Sequence, residues 1–140
     1  METELDAGRA VQKALMPPES PELAGWDIWL YTEPANHVGG DLVDFIELED
    51  NKYSIILADV SGKGLNAALF AAKIQGVLRA IAPEYQSITV LVNKLNQIFG
   101  RDKTPQSFTS GIYLQVSPNE NELHYVNAGH LPPIIFDGNE

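Results

Sequence analysis

The sequence predicts an α+β domain in which antiparallel strands pack against two consecutive helices. Two strand patterns lie on either side of a short polar turn, which is typical of a β-hairpin. Two helical patterns follow, and a second pair of strand patterns comes after them. The strand patterns occupy residues 41–48, 53–60, 108–116 and 123–127, and the helical patterns occupy residues 65–81 and 87–100.

Length and composition fit one globular domain. The chain has 140 residues, of which 44% are apolar and 20% charged, enough to bury a core. It has no cysteine, so disulfides and thiolate metal sites are excluded. The net charge of −10 argues against nucleic acid as a partner, because phosphate contacts need lysine and arginine. We divide the chain into an N-terminal helix or linker, 1–18, and a main domain, 19–140.

The N-terminal third is expected to hold a helix and a first strand. Residues 1–16 carry a partial apolar stripe at helical spacing, which Pro17 and Pro18 end. Residues 26–31 alternate, with every second side chain from Trp26 onwards on one face, and so predict a strand. The apolar stretches fall short of a membrane span and the N-terminus is acidic, which predicts a cytoplasmic protein without a membrane association.

The two central helices are expected to pack as an antiparallel pair on one face of the sheet. The first, 65–81, is apolar around much of its circumference, which predicts burial on more than one side before Pro83 closes it. Ser87 is the expected N-cap of the second helix, which carries a clean apolar stripe and ends at Gly100.

The C-terminal part predicts two more strands and then an unpaired one. Residues 118–121 form the turn between the strands 108–116 and 123–127. The apolar run 134–136 precedes Asp137-Gly138, a hairpin signal, but the chain ends two residues later. An unpaired edge attracts another chain, so a homodimer through this edge or through the N-terminal helix is expected.

Two carboxylates mark a candidate metal site. Asp41 and Asp59 lie at the ends of neighbouring antiparallel strands, each beside glycines that allow the backbone to come close to an ion. A carboxylate that ends an apolar run must be paired, hydrogen-bonded or metal-bound if it is buried. Oxygen ligands without cysteine or clustered histidine suit Mg²⁺ or Mn²⁺ better than zinc. The alternative is that each aspartate simply caps a turn.

An ordered set of motifs runs from about residue 10 to residue 138. They are Pro34-Ala35, Val38-Gly39-Gly40-Asp41, Asp44-Phe45, Asp59-Val60-Ser61-Gly62-Lys63-Gly64, Ala67-Ala68, Phe108-Thr109, Asn127-Ala128-Gly129-His130 and Pro132-Pro133. Together they resemble the bacterial metal-dependent protein phosphatases of the type 2C superfamily. Within it, they are similar to the branch named for stage II sporulation protein E and the sigma-factor regulator RsbU.

This resemblance implies an antiparallel β-sandwich flanked by helices and a site for two Mn²⁺ or Mg²⁺ ions. By resemblance, Asp59 bridges the ions, the Val60 carbonyl binds one of them, and Asp41 binds metal or orients a metal-bound water. Asp44 is expected to lie outside the set of metal ligands and to help hold those ligands in place. The family's domain continues into a segment whose aspartate completes the site; no such segment follows Gly138, so the fold is expected to be truncated at its C-terminus.

Two functions from different classes remain open. The first is a Mn²⁺- or Mg²⁺-dependent serine/threonine protein phosphatase whose substrate, by resemblance, is a phosphorylated anti-sigma-factor antagonist. The second is a catalytically incomplete interaction module of the same fold. Two other side chains have simpler interpretations: His130 is expected to fix its turn through hydrogen bonds to the backbone, and Lys63 to be solvated on a tight turn.

Overall fold

A computed structural model of the chain describes residues 3–34, 36–62, 64–101 and 108–138. Its described residues form three α-helices and four β-strands. In chain order these are α1 (Glu4–Ala14), β1 (Asp41–Glu47), β2 (Tyr53–Val60), α2 (Gly64–Ile81), α3 (Ile88–Gly100), β3 (Thr109–Ser117) and β4 (Glu122–Ala128). Short 3-10 turns at Ala82–Glu84 and Pro118–Glu120 follow α2 and β3.

The four strands form one antiparallel sheet in the order β1-β2-β3-β4. Both α2 and α3 lie against the same face of this sheet, with an apolar cavity of about 340 Å³ between them and β2, β3 and β4. The predicted α+β class with an antiparallel sheet flanked by helices is confirmed. The described residues contain one sheet of the sandwich that the resemblance implies.

The β1–β2 hairpin sets the register of the sheet. Asp50 and Asn51 occupy the left-handed region, with φ of 57° and 54°. Aspartate and asparagine tolerate this conformation, and two successive residues with positive φ suit the twist of a tight hairpin. The Leu48 amide donates to the Lys52 carbonyl at 2.8 Å and closes the turn. The hairpin is therefore fixed locally, as its sequence predicts.

The core lies between the helix-facing side of the sheet and one face of α2. From the sheet it includes Leu42, Ile46, Ile56, Ala58, Val60 and Tyr113, and from α2 it includes Ala67, Ala71, Ile74 and Leu78. The expected burial of α2 on more than one side holds in part, since the helix packs on the sheet and its buried Gln75 also donates to Leu15 at the end of α1. Leu65 and Leu69, on the far side, are 52% and 61% exposed because none of the described elements covers them.

The start of α3 agrees with the sequence. Ser87 lies in extended backbone, and its side chain accepts a hydrogen bond from the Val90 amide at 3.3 Å. The helix ends at Gly100, and Leu91 is its one fully buried residue, 1% exposed. The predicted cap and C-terminus are confirmed, since both depend on local chemistry.

The strand predicted at 26–31 does not form. Trp26, Ile28 and Leu30 are half-buried while the residues between them are exposed, so the alternation correctly indicates one covered side. The backbone has no ladder partner within the described part of the chain; the Leu30 amide donates instead to the Glu19 carbonyl at 2.6 Å. An alternating pattern reports burial, whereas a strand also requires a neighbouring strand.

The strand predicted at 134–136 is also absent. Ile134, Ile135 and Phe136 are 95%, 82% and 70% exposed and have no strand partner among the described residues. The outer edge of β4 is likewise unpaired in the described structure. A hairpin signal at Asp137-Gly138 is insufficient because a hairpin needs both of its strands.

The longest helical stretch also meets a simple test for a membrane span. Residues Gly64–Glu84 are long and apolar enough by length and composition, with a mean hydropathy of 1.2. The core helix of a soluble domain satisfies the same criteria, and α2 packs against β1 and β2. This single helix is weak evidence for a membrane span.

Candidate metal centre

The hairpin register brings Asp41 and Asp59 directly opposite each other. Asp41 is the first residue of β1 and pairs with Asp59, the penultimate residue of β2. Side chains of paired residues lie on the same face, with Cβ atoms ~4.5–5.5 Å apart. Their neighbours Leu42 and Val60 face the helices and are 4% and 1% exposed, so both carboxylates lie on the opposite face, where the two aspartates are exposed. The ends of β1 and β2 thus hold the two carboxylates side by side.

The pair is electrostatically strained in the protein. Partial desolvation raises the pKa of the Asp41 carboxyl, and the negative charge and hydrogen bond of Asp59 raise that pKa further. A raised pKa in an acid means that its charged form is disfavoured in the folded state. A divalent cation between the two groups would remove this repulsion, so the donor set fits such an ion.

Gly40 lets a backbone carbonyl approach the acidic pair. The Val60 amide donates to the Gly40 carbonyl at 3.0 Å. A Cβ at Gly40 would lie 2.8 Å from the Val60 carbonyl oxygen and 2.8 Å from the Ala67 Cβ. Only glycine leaves this space, and the Val60 carbonyl therefore stays close to the residue that precedes Asp41.

We expect Gly40→Ala to lower stability by about 1–3 kcal/mol, because the new methyl group would contact backbone and core rather than a flexible side chain. Metal affinity should fall with it, since the strand end that carries Asp41 must shift. Urea unfolding of the metal-free protein and Mn²⁺ titration measure the two effects. Gly76→Ala in α2 is the matched control: its Cβ meets nothing within 4 Å and should add about 0.5–1 kcal/mol. Wild-type stability for Gly40→Ala would contradict the close approach.

His130 lies nearer to the acidic pair than the sequence indicates. Its Nδ1 is 3.1 Å from the Ser110 hydroxyl, and Ser110 pairs with Asp59 in the β2–β3 register. The charge of protonated His130 acts to lower the pKa of Asp41, against the larger raising effects of burial and Asp59. Only the pairing of β2 with β3 could have shown that His130 lies near Asp59, and the sequence does not specify that pairing.

The turn before His130 is fixed by a different side chain from the one expected. The amide oxygen of Asn127 accepts from the His130 backbone N–H at 2.9 Å, and its nitrogen donates to the His130 carbonyl at 3.1 Å. The prediction that the imidazole fixes the turn is therefore wrong. Asparagine can satisfy both backbone groups at once, which frees the imidazole for Ser110.

Asp44 does not support the metal site. It lies on the helix-facing side of β1, is fully buried, and accepts from Arg79 Nε at 2.7 Å and from a second guanidinium nitrogen at 2.9 Å. Alternation along the strand places it on the face opposite Asp41. The expectation for Asp44 is wrong, because Arg79 of α2 provides the partner that a buried carboxylate needs. Lys63 and Ala35 lie outside the described residues.

The described residues contain no group of three or more His, Asp or Glu side chains that could hold a metal ion. The predicted ligands in this region are the carboxylates of Asp41 and Asp59 and the Val60 carbonyl, whose role in metal binding stays a prediction. All three are hard oxygen ligands, which fit Mg²⁺ or Mn²⁺.

The fold and the paired aspartates place the chain in the class of type 2C phosphatase-like α+β domains. Residues 49–140 match the family model described as Stage II sporulation protein E (SpoIIE). The chain belongs to the SpoIIE family.

Relatives in two bacteria cover nearly the whole chain. Phosphoserine phosphatase RsbP of Bacillus subtilis is 28% identical over 96% of this chain and 34% of its own length. Protein IcfG of Synechocystis sp. is 27% identical over 96% of this chain and 25% of its own length. Phosphoserine phosphatase RsbU of Bacillus subtilis is 24% identical over 97% of this chain and 40% of its own length. The chain thus spans between a quarter and two fifths of these relatives.

A solved structure supports the fold. The crystal structure of the RsbU and RsbW domains of a Mycobacterium tuberculosis protein matches with a TM-score of 0.60 and 20% identity. The match covers 69% of this chain and 27% of that one. At this identity the likeness concerns the fold alone.

Proposed function

We propose that this chain is a Mn²⁺- or Mg²⁺-dependent serine/threonine protein phosphatase domain that acts on a phosphorylated regulatory protein. The observation that carries the proposal is the register pairing of Asp41 with Asp59, beside the Val60 carbonyl. Membership of the SpoIIE family, and relatives named phosphoserine phosphatases, support the same chemistry.

The residues suit the demands of phosphomonoester hydrolysis, which is among the slowest uncatalysed reactions in water. Divalent ions, when bound, supply a water of lowered pKa and neutralise the phosphoryl oxygens. Asp59, Asp41 and the Val60 carbonyl are the groups that would hold these ions, from two adjacent strand ends and the backbone. Asp41 and Asp59 are both exposed, which leaves the acidic pair open to a large substrate.

The substrate we propose is a phosphorylated anti-sigma-factor antagonist, in a cytoplasmic signalling protein that controls a stress or developmental response. The names of the relatives support a phosphoserine substrate for those proteins. The matched crystal structure is described as holding an RsbW domain beside its RsbU domain, which supports a regulatory context for that protein.

A catalytically incomplete interaction module is the second candidate. Two observations favour it: the described residues offer only two carboxylates at the site, and the outer edge of β4 is unpaired. Exposed apolar side chains follow β4 at Leu131 and at 134–136. In this alternative the edge and these side chains pair with a second copy of the chain.

Metal removal separates the two candidates. We expect the chain to hydrolyse an aryl phosphate and a phosphoserine peptide with Mn²⁺ or Mg²⁺, and to lose this turnover with a chelator because uncompensated carboxylates repel the phosphate. Restored turnover on adding Mn²⁺ back controls for denaturation. A folded chain that binds Mn²⁺ but hydrolyses neither compound would contradict the enzyme and favour the interaction module.

A further inference from the structure

A groove of about 240 Å³ lies between α1 and residues 31–34 and ends at Asp41. Arg9 and Lys13 of α1 line one side of it, and Tyr31 and Glu33 line the other. We propose that this groove binds an acidic segment of the phosphoprotein substrate, next to the phosphorylated residue. The inference rests on the proposed function, which places the phosphoryl group at the Asp41 end.

The side chains of Arg9 and Lys13 are placed where a ligand can reach them, and their spacing does not stabilise α1. Arg9 and Lys13 are four residues apart, so they lie on one face of α1 about 6 Å apart along its axis. Both are exposed, and the structure shows no hydrogen bond or ion pair from either side chain to any described residue. Like charges at this spacing disfavour a helix slightly. In a chain of net charge −10, they form a local cationic site beside the acidic pair.

The acidic groups nearby are already engaged. Asp6, one turn before Arg9, accepts hydrogen bonds from Thr3 at the start of α1 and lies 3.6 Å from His37. Glu33, across the groove, accepts a hydrogen bond from the Tyr31 hydroxyl. The Arg9 charge also helps to lower the pKa of Asp6, after the larger effect of the Thr3 hydrogen bonds, but Arg9 and Lys13 keep their hydrogen-bond donors for carboxylates of a bound peptide.

Hydrogen bonds hold the C-terminal end of α1, which forms part of the groove. The Gln12 side chain donates to the Gly39 carbonyl at 2.7 Å and accepts from the Gly39 amide at 3.2 Å. At the same end of α1, Gln75 and Arg79 donate to the carbonyl of the C-cap residue Leu15 at 2.9 Å and 3.1 Å. Since the C-terminal end of α1 is fastened both to Gly39 and to α2, the Lys13 side of the groove is ordered before a peptide binds.

The rim of the groove has the composition of a protein interface. Trp29 and Tyr31 stack with ring centroids 5.4 Å apart, and their side chains are 67% and 53% exposed. Tryptophan, tyrosine and arginine are enriched where protein partners bind most strongly. An aromatic rim beside two exposed cations fits a folded or extended protein segment better than a small phosphate ester.

Peptide binding tests the groove without depending on turnover. Two labelled peptides carry the phosphonate analogue of phosphoserine, one with acidic and one with alanine flanking residues, and fluorescence anisotropy with Mn²⁺ gives their Kd values. We expect Arg9→Ala/Lys13→Ala to weaken binding of the acidic peptide about fivefold to tenfold, and that of the alanine peptide much less. Added salt should reduce the wild-type preference, because exposed charge pairs are screened.

Lys52→Ala/Lys94→Ala is the matched control, since it removes the same charge from the hairpin turn and α3, outside the groove. Equal affinity of the wild type for the two peptides, or an equal loss of affinity in the control variant, would contradict the proposal that the groove binds an acidic segment. Aryl phosphate hydrolysis reports the proposed function separately. A preference for the acidic peptide without any hydrolysis would support peptide binding in the groove and contradict the proposed phosphatase activity.

Discussion

Asp59→Asn should lower Mn²⁺-dependent turnover by about a thousandfold, because a metal-bridging carboxylate supplies several kcal/mol of transition-state stabilisation. The same variant should not lower the stability of the metal-free protein. Partial desolvation raises the pKa of Asp41, and the negative charge and hydrogen bond of Asp59 raise it further, so the pair opposes folding at neutral pH. This raised pKa makes the pair's contribution most favourable at low pH and unfavourable as pH rises through the folded pKa of Asp41.

Two readouts therefore separate a site residue from a structural one. Initial rates with an aryl phosphate give the loss of turnover, and urea unfolding with a chelator gives stability at pH 7. Asp50→Asn is the matched control, because it makes the same chemical change at the opposite end of the hairpin, where asparagine tolerates the positive φ of 57°. Turnover near the wild-type level in Asp59→Asn would show that the acidic pair is not the metal site.

Arg79→Ala should destabilise the protein by about 3–5 kcal/mol, because it leaves the Asp44 carboxylate buried without its partner. The Asp44 side chain is 1% exposed, and it accepts from Arg79 at 2.7 Å and 2.9 Å. The variant also removes the hydrogen bond to the Leu15 carbonyl, which fastens α1. Urea unfolding at neutral pH measures the change in the free energy of unfolding.

A double-mutant cycle identifies the cause. Asp44→Ala/Arg79→Ala removes the buried charge together with its partner and should be more stable than Arg79→Ala alone. The recovery of stability would be incomplete, because the double variant leaves a cavity and still lacks the hydrogen bond from Arg79 to the Leu15 carbonyl. A cost below about 1 kcal/mol for Arg79→Ala would mean that water reaches Asp44, as it does for an exposed ion pair.

The sequence by itself determined the features that depend on neighbours in the chain. The hairpin follows from its polar turn, since Asp50 and Asn51 adopt the left-handed conformation that the turn needs. Its register, and with it the pairing of Asp41 and Asp59, follows from that turn. The N-cap Ser87 also acts within one helical turn. Short-range chemistry of this kind is visible in one sequence.

Only the tertiary structure decided which surfaces meet. The patterns at 26–31 and 134–136 are those of strands, but neither segment has a strand partner among the described residues. Asp44 belongs to the core because Arg79, 35 residues away, reaches it from α2. Likewise, His130 approaches Asp41 through the pairing of β2 with β3, and Gln12 holds Gly39 from α1. These contacts join distant segments, so their geometry depends on how the whole core packs rather than on local pattern.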